Sequence, residues 1–186
     1  MSEPEDVQVM LNAIEKNPEV LMHMSEEIKN DKVFVLAAVE RDGMAIDYAA
    51  PEISGDPEIV KVAIQSNGLA LKYASDELRG DRDVVLVAVR DFGLALDYAS
   101  VKLRGDRGVV LTAVRDHGLA LEYATPEMRG DREIVLTAVQ NNGRSLKYAS
   151  PELRGDLEIV VASVQECELA LKYASSQWRY QLQNAH

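Results

Sequence analysis

The chain has 186 residues, 47% apolar and 27% charged, the balance of a globular protein and not of a disordered one. Its net charge of −11 opposes binding to nucleic acid or acidic membranes, which need lysine and arginine to displace counterions. Apolar runs such as Val109-Val110-Leu111 are too short to cross a bilayer, and the lone Cys167 excludes an internal disulfide framework. The acidic start Met-Ser-Glu-Pro-Glu-Asp has no signal-peptide pattern, and these features together predict an intracellular, cytoplasmic protein.

After a leading segment, 1–5, the chain keeps a period of 25. Asp stands at 6, 31, 56, 81, 106, 131 and 156, and Tyr at 48, 73, 98, 123, 148 and 173. Gly follows the same period at 43, 68, 93, 118 and 143, and in a second series at 55, 80, 105, 130 and 155. The register divides the chain into seven repeats, 6–30, 31–55, 56–80, 81–105, 106–130, 131–155 and 156–180, followed by a tail, 181–186.

Each repeat opens on the Asp. A carboxylate there can accept from the free N–H groups of a first helical turn, so Asp31, Asp56, Asp81, Asp106, Asp131 and Asp156 are predicted helix N-caps. Pro57 fits the first helical position, and Glu58, Asp83 and Glu133 suit the helix dipole. Ile134, Val135, Ala138 and Val139 fall at i, i+1, i+4 and i+5, one buried stripe. Gly143 is predicted to end this longer helix in a left-handed C-cap.

A short helix follows, carrying Leu121, Tyr123 and Ala124 in one copy, and then a single 3₁₀-like turn such as Pro151-Glu152-Leu153-Arg154. The joint then reads Arg-Gly-Asp in four copies, Lys29-Asn30-Asp31 in the first and Ser54-Gly55-Asp56 in the second. Asn in place of Gly predicts a left-handed backbone at the joint. No copy can bury its apolar face alone, so the pattern predicts an all-α fold, an α-solenoid of seven stacked helical repeats.

The unit "D-x-E-[IV]-V-L-x-A-V-x-x-N-G-x-x-L-x-Y-A-S-x-E-L-R-[GN]-D" resembles the repeat of the DUF4116 family, over residues 6–180. It is more distantly similar to leucine-rich variant repeats, whose alternating α and 3₁₀ segments imply a right-handed superhelix. The DUF4116 resemblance carries no established activity.

Chemistry is sparse. His23, His117 and His186 share no metal-ligand spacing with one another or with Cys167, and no nucleophile triad or phosphate loop stands out. The expectation is a non-enzyme with no metal and no cofactor. The tyrosines read as a core row with hydroxyls at its rim, and the joint arginines as partners of nearby acids such as Glu77, Glu127 or Glu152, or of the end of their own turn. The residues before Gly vary between copies, which marks Arg90, Phe92, Arg115, His117, Gln140 and Asn142 as candidate partner-binding positions. The leading expectation is a monomeric scaffold for a protein or peptide partner, with no nucleic acid and no membrane. An architectural or self-associating module, part of a longer protein, is the alternative, and cell adhesion through Arg-Gly-Asp a third.

Overall fold

A computed structural model of the chain describes residues 4–183. Residues 1–3 of the predicted leading segment and 184–186 of the predicted tail, His186 among them, lie outside the described residues. The described residues are helical throughout, with no strand. The chain divides into two compact units, Met1–Ala88 and Val89–His186.

In the first unit the long helix Pro4–Lys16 packs on Lys32–Arg41, which packs on Pro57–Ser66. In the second, Arg107–Asp116, Arg132–Asn141 and Leu157–Glu166 pack in the same succession. Six-residue 3₁₀ segments form the other layer: Pro18–His23, Gly43–Tyr48 and Gly68–Tyr73 in the first unit, and Gly93–Tyr98, Gly118–Tyr123, Gly143–Tyr148 and Glu168–Tyr173 in the second. This is the two-layer stacking of an all-α repeat solenoid. The core lies between the layers. In one repeat it is Ile134, Val135, Ala138 and Val139 from the long helix, with Leu146 and Ala149 from the 3₁₀ layer. Each fully buried Val, Ile or Leu contributes about 1.5–3 kcal/mol.

The structure exchanges two of the expected segments. The short helix is 3₁₀ in all seven repeats, and the expected 3₁₀ turn is α-helical at Glu26–Lys29, Pro51–Ser54, Asp76–Gly80 and Val101–Arg104. Only Met128–Gly130 and Leu153–Gly155 are 3₁₀ there, and in the last repeat a helix runs through Ser176–Gln183. The reason is a period of three. Gly118, Leu121 and Ala124 are all buried, at i, i+3 and i+6. In a 3₁₀ helix these positions eclipse along one face, whereas an α-helix would rotate them apart. Stacking on the neighbouring 3₁₀ segments sustains a length that a lone 3₁₀ helix seldom reaches.

The left-handed backbone is also overturned. No described residue has a positive φ, glycine included. Asn30 lies at φ −100°, ψ 6°, and Gly55 at φ −91°, ψ −3°. The glycine that starts each 3₁₀ segment serves close approach instead. A Cβ on Gly43 would lie 2.1 Å from the Ala63 carbonyl oxygen, and one on Gly118 would lie 2.4 Å from that of Ala138. Backbones of successive repeats meet here with no room for a methyl group.

Candidate functional site

The joint is a structural connection on both sides. Asp131 Oδ1 accepts from the amides of Glu133 and Ile134, at 3.0 and 3.1 Å. Its Oδ2 accepts from Arg107 Nε of the preceding repeat at 2.9 Å, and the same guanidinium reaches Glu133. Asp156 repeats the arrangement with Ile159 and Arg132. Asp56 does so with Glu58, Ile59 and Lys32. Cap bonds are also made by Asp31 to Val33, Asp81 to Asp83 and Val84, and Asp106 to Val109.

Burial pulls the Asp131 carboxyl upward. The Ile134 amide and the Arg107 guanidinium outweigh it, and hold the group below the usual carboxylate range. Asp56 and Asp156 are held low in the same way. Both carboxylate oxygens of these three residues are thus engaged within the scaffold. Lys32, Arg107 and Arg132 went unnoticed in the sequence. Their signal was a base at the first helical position, 24 residues before an Asp and 26 before a Glu.

The joint arginines do not pair with Glu77, Glu127 or Glu152. Arg79 Nη2 donates to the Lys72 carbonyl at 2.7 Å, and Arg179 to the Ser176 hydroxyl. Among the described residues the Arg104, Arg129 and Arg154 side chains have no hydrogen-bond or ion-pair partner, and their Nε atoms are buried. The tyrosines are half-buried, and Tyr148 Oη donates to Glu122 at 2.6 Å.

The positions before Gly divide by role. Ser66, Asp116 and Asn141 accept from the amides of Gly43, Gly93 and Gly118, each one repeat earlier, at 3.1, 2.7 and 2.7 Å. These side chains clip two repeats together, a role the sequence reading did not give them. The next residue is the N-cap of the 3₁₀ segment. Asp42, Asn67 and Asn142 accept there from the amides of Met44, Leu69 and Arg144. Phe92 and His117 occupy the same position without capping. Their half-buried rings lie against each other, centroids 5.9 Å apart and planes inclined by 49°. Arg90, Arg115 and Gln140 are exposed alongside. Gln140 also borders an open groove of about 630 Å³ with Leu136, Leu157 and Val161.

Among the described residues no group of three His, Cys, Asp or Glu side chains could hold a metal, and no helix is long and apolar enough to cross a membrane. Cys167 is a half-buried free thiol.

The model of the DUF4116 family, described as a domain of unknown function, matches residues 6–54, 56–104, 81–129, 106–154 and 131–179. The chain belongs to the DUF4116 family. Each DUF4116 match begins on an Asp of the 25-residue series and covers nearly two repeats. No curated protein and no solved structure matches the chain.

Proposed function

We propose that this chain is a non-catalytic, monomeric scaffold that binds a protein or peptide partner along Arg90, Phe92, Arg115, His117 and Gln140, with Asn142 at the border. One observation carries the reading. Phe92 and His117 stand where Asp42, Asn67 and Asn142 cap a 3₁₀ segment, and neither makes that bond. Two successive repeats give up a local stabilisation of about 0.5–2 kcal/mol and gain a pair of half-exposed rings. Aromatic side chains flanked by arginine are the composition of interface hot spots. Asn142 contributes its remaining donors, because its side-chain oxygen is committed to the Arg144 amide.

The double variant Phe92→Asn/His117→Asn tests this without threatening the fold, since it installs the residue that caps at 67 and 142. The expected result is an unchanged or higher Tm with loss of the specific partner from affinity capture. Undiminished capture of every specific partner by the variant would reject this surface.

A further inference from the structure

A second feature lies at the other end of the repeat, beside the joint, in residues the scaffold does not use. Arg129 and Arg154, from successive joints of the second unit, line one pocket of about 320 Å³ together with Lys147, Tyr148 and Ser150. No carboxylate lines this pocket, in a chain whose net charge is −11. Like charges gathered in a half-buried place repel one another, and a guanidinium withdrawn from water needs acceptors. Neither arginine has them: the Nε of each is buried without a partner, and among the described residues no carboxylate is within ion-pair reach of either.

The surrounding acids are engaged elsewhere. Glu122 accepts from Tyr148 Oη at 2.6 Å. Glu152 is held below the usual carboxylate range chiefly by its own amide and then by the Ser150 hydroxyl, with Arg154 a lesser influence through space. Lys147 is fixed at the pocket by its neighbour, with Nζ 4.5 Å from the centre of the Tyr148 ring and 3.1 Å from its hydroxyl.

Two other places in the protein show that the charge at this pocket is not imposed by the repeat. One repeat earlier, between Arg104 and Arg129, the position of Lys147 is Glu122, so that interval carries its own carboxylate. In the first unit, the Arg79 guanidinium donates through Nη2 to the Lys72 carbonyl, with its buried Nε left without a partner, and its predecessor at the joint is Ser54, so no second guanidinium stands beside it there.

We propose that Arg129, Lys147 and Arg154 form a binding site for a phosphate dianion. Three cations exceed what one carboxylate can neutralise, whereas a phosphate dianion brings close to two charges and at least three terminal oxygens to a planar guanidinium fork and an ammonium. A nucleic-acid phosphodiester carries a single charge on a polyanion, which the acidic chain repels. The dianion is either free inorganic phosphate or the phosphomonoester group of a phosphorylated peptide side chain. The proposal shares no residue with the Phe92 and His117 surface, so each can fail without the other.

The test is a titration of ¹⁵N-labelled protein, observing the arginine Nε–H resonances. The probes are inorganic phosphate, a phosphoserine peptide, the same peptide with glutamate, and a short single-stranded oligonucleotide. The expected result is a saturable shift of Arg129 and Arg154, at least about tenfold tighter for a phosphate dianion than for the glutamate peptide. Saturation by inorganic phosphate as tightly as by the phosphopeptide identifies the free ion as sufficient; a tighter phosphopeptide identifies the modified side chain. Lys147→Glu copies the arrangement already folded at Glu122, and is expected to weaken binding at least about tenfold while Tm moves by less than about 4 °C. The proposal is overturned by no saturable shift at about 10 mM of either inorganic phosphate or the phosphopeptide. Equal affinity for the glutamate peptide, tighter binding of the oligonucleotide, or undiminished binding by Lys147→Glu would each overturn it too.

Discussion

Two glycine series run through this protein with the same period, and they exist for different reasons. The series at the start of the 3₁₀ segments lies against the next repeat, where a Cβ on Gly93 would sit 2.3 Å from the Ala113 carbonyl oxygen. The series at the joints is open, and a Cβ on Gly55, Gly80 or Gly130 would meet nothing within 4 Å. Recurrence in a repeat therefore marks a position, and its surroundings give it a cause. The same lesson applies to Arg-Gly-Asp: Asp131 and Asp156 are occupied by cap and ion pair, Gly80 and Gly130 are sterically free, and three successive arginines, Arg104, Arg129 and Arg154, are left without hydrogen-bond or ion-pair partners among the described residues.

Substitutions should separate these positions by size of effect. Gly118→Ala is expected to cost more than about 3 kcal/mol in chemical denaturation, because the obstructing atom, the Ala138 oxygen, is backbone and cannot rotate away. A loss below about 1 kcal/mol would mean that the repeats separate easily at this contact.

The joint aspartates come next. Asp131→Ala removes a cap and an ion pair and should cost about 1–2 kcal/mol, while Asp131→Asn keeps the cap and should cost less than about 1 kcal/mol. The carboxyls of Asp56, Asp131 and Asp156 are depressed in the folded state. Their contribution is fully present above the unfolded value of about 3.9 and is lost as pH falls through the lower folded value. A denaturation series from neutral pH to about pH 3 should therefore show a smaller acid loss in Asp131→Asn than in the parent. Identical slopes would remove Asp131 from the account.

Ser145 tests the buried layer in the opposite direction. It is buried with an unpartnered hydroxyl, at a position where Ala45, Ala70, Ala95, Ala120 and Ala170 stand in other repeats. Ser145→Ala should stabilise by about 1 kcal/mol, read as a higher denaturation midpoint. The smallest effect belongs to the open glycines. Gly130→Ala has negative-φ backbone and empty space, and should change stability by no more than about 1 kcal/mol, in the stabilising direction, by restricting the unfolded chain. A large loss there would erase the distinction between the two series.

Parts of this were legible in the sequence because they are local. The long helices follow from an acidic start and an i, i+1, i+4, i+5 stripe, and both signals lie within ten residues, as in Arg132–Asn141. The 3₁₀ layer carried a signal that was misassigned. Gly, Leu and Ala at intervals of three, as at 118, 121 and 124, fit a 3₁₀ face better than an α-helical one. The candidate surface was legible only as variation. That Phe92 and His117 touch, and that Asn142 is a cap while Asn141 clips to the preceding Gly118, depends on which side chains the stack brings together.

The sequence by itself determined the all-α class, the 25-residue register and the stripe that each long helix buries, because these rest on contacts and spacings inside one repeat. Only the tertiary structure decided why the first glycine series admits no side chain, which oxygen of Asp56, Asp131 and Asp156 holds its own helix and which holds its neighbour, and which arginines remain unpartnered. Each of those depends on a group 20 to 26 residues away, such as Ala63 for Gly43 or Glu58 for Lys32. Stacking creates that proximity, and no local pattern of residues contains it.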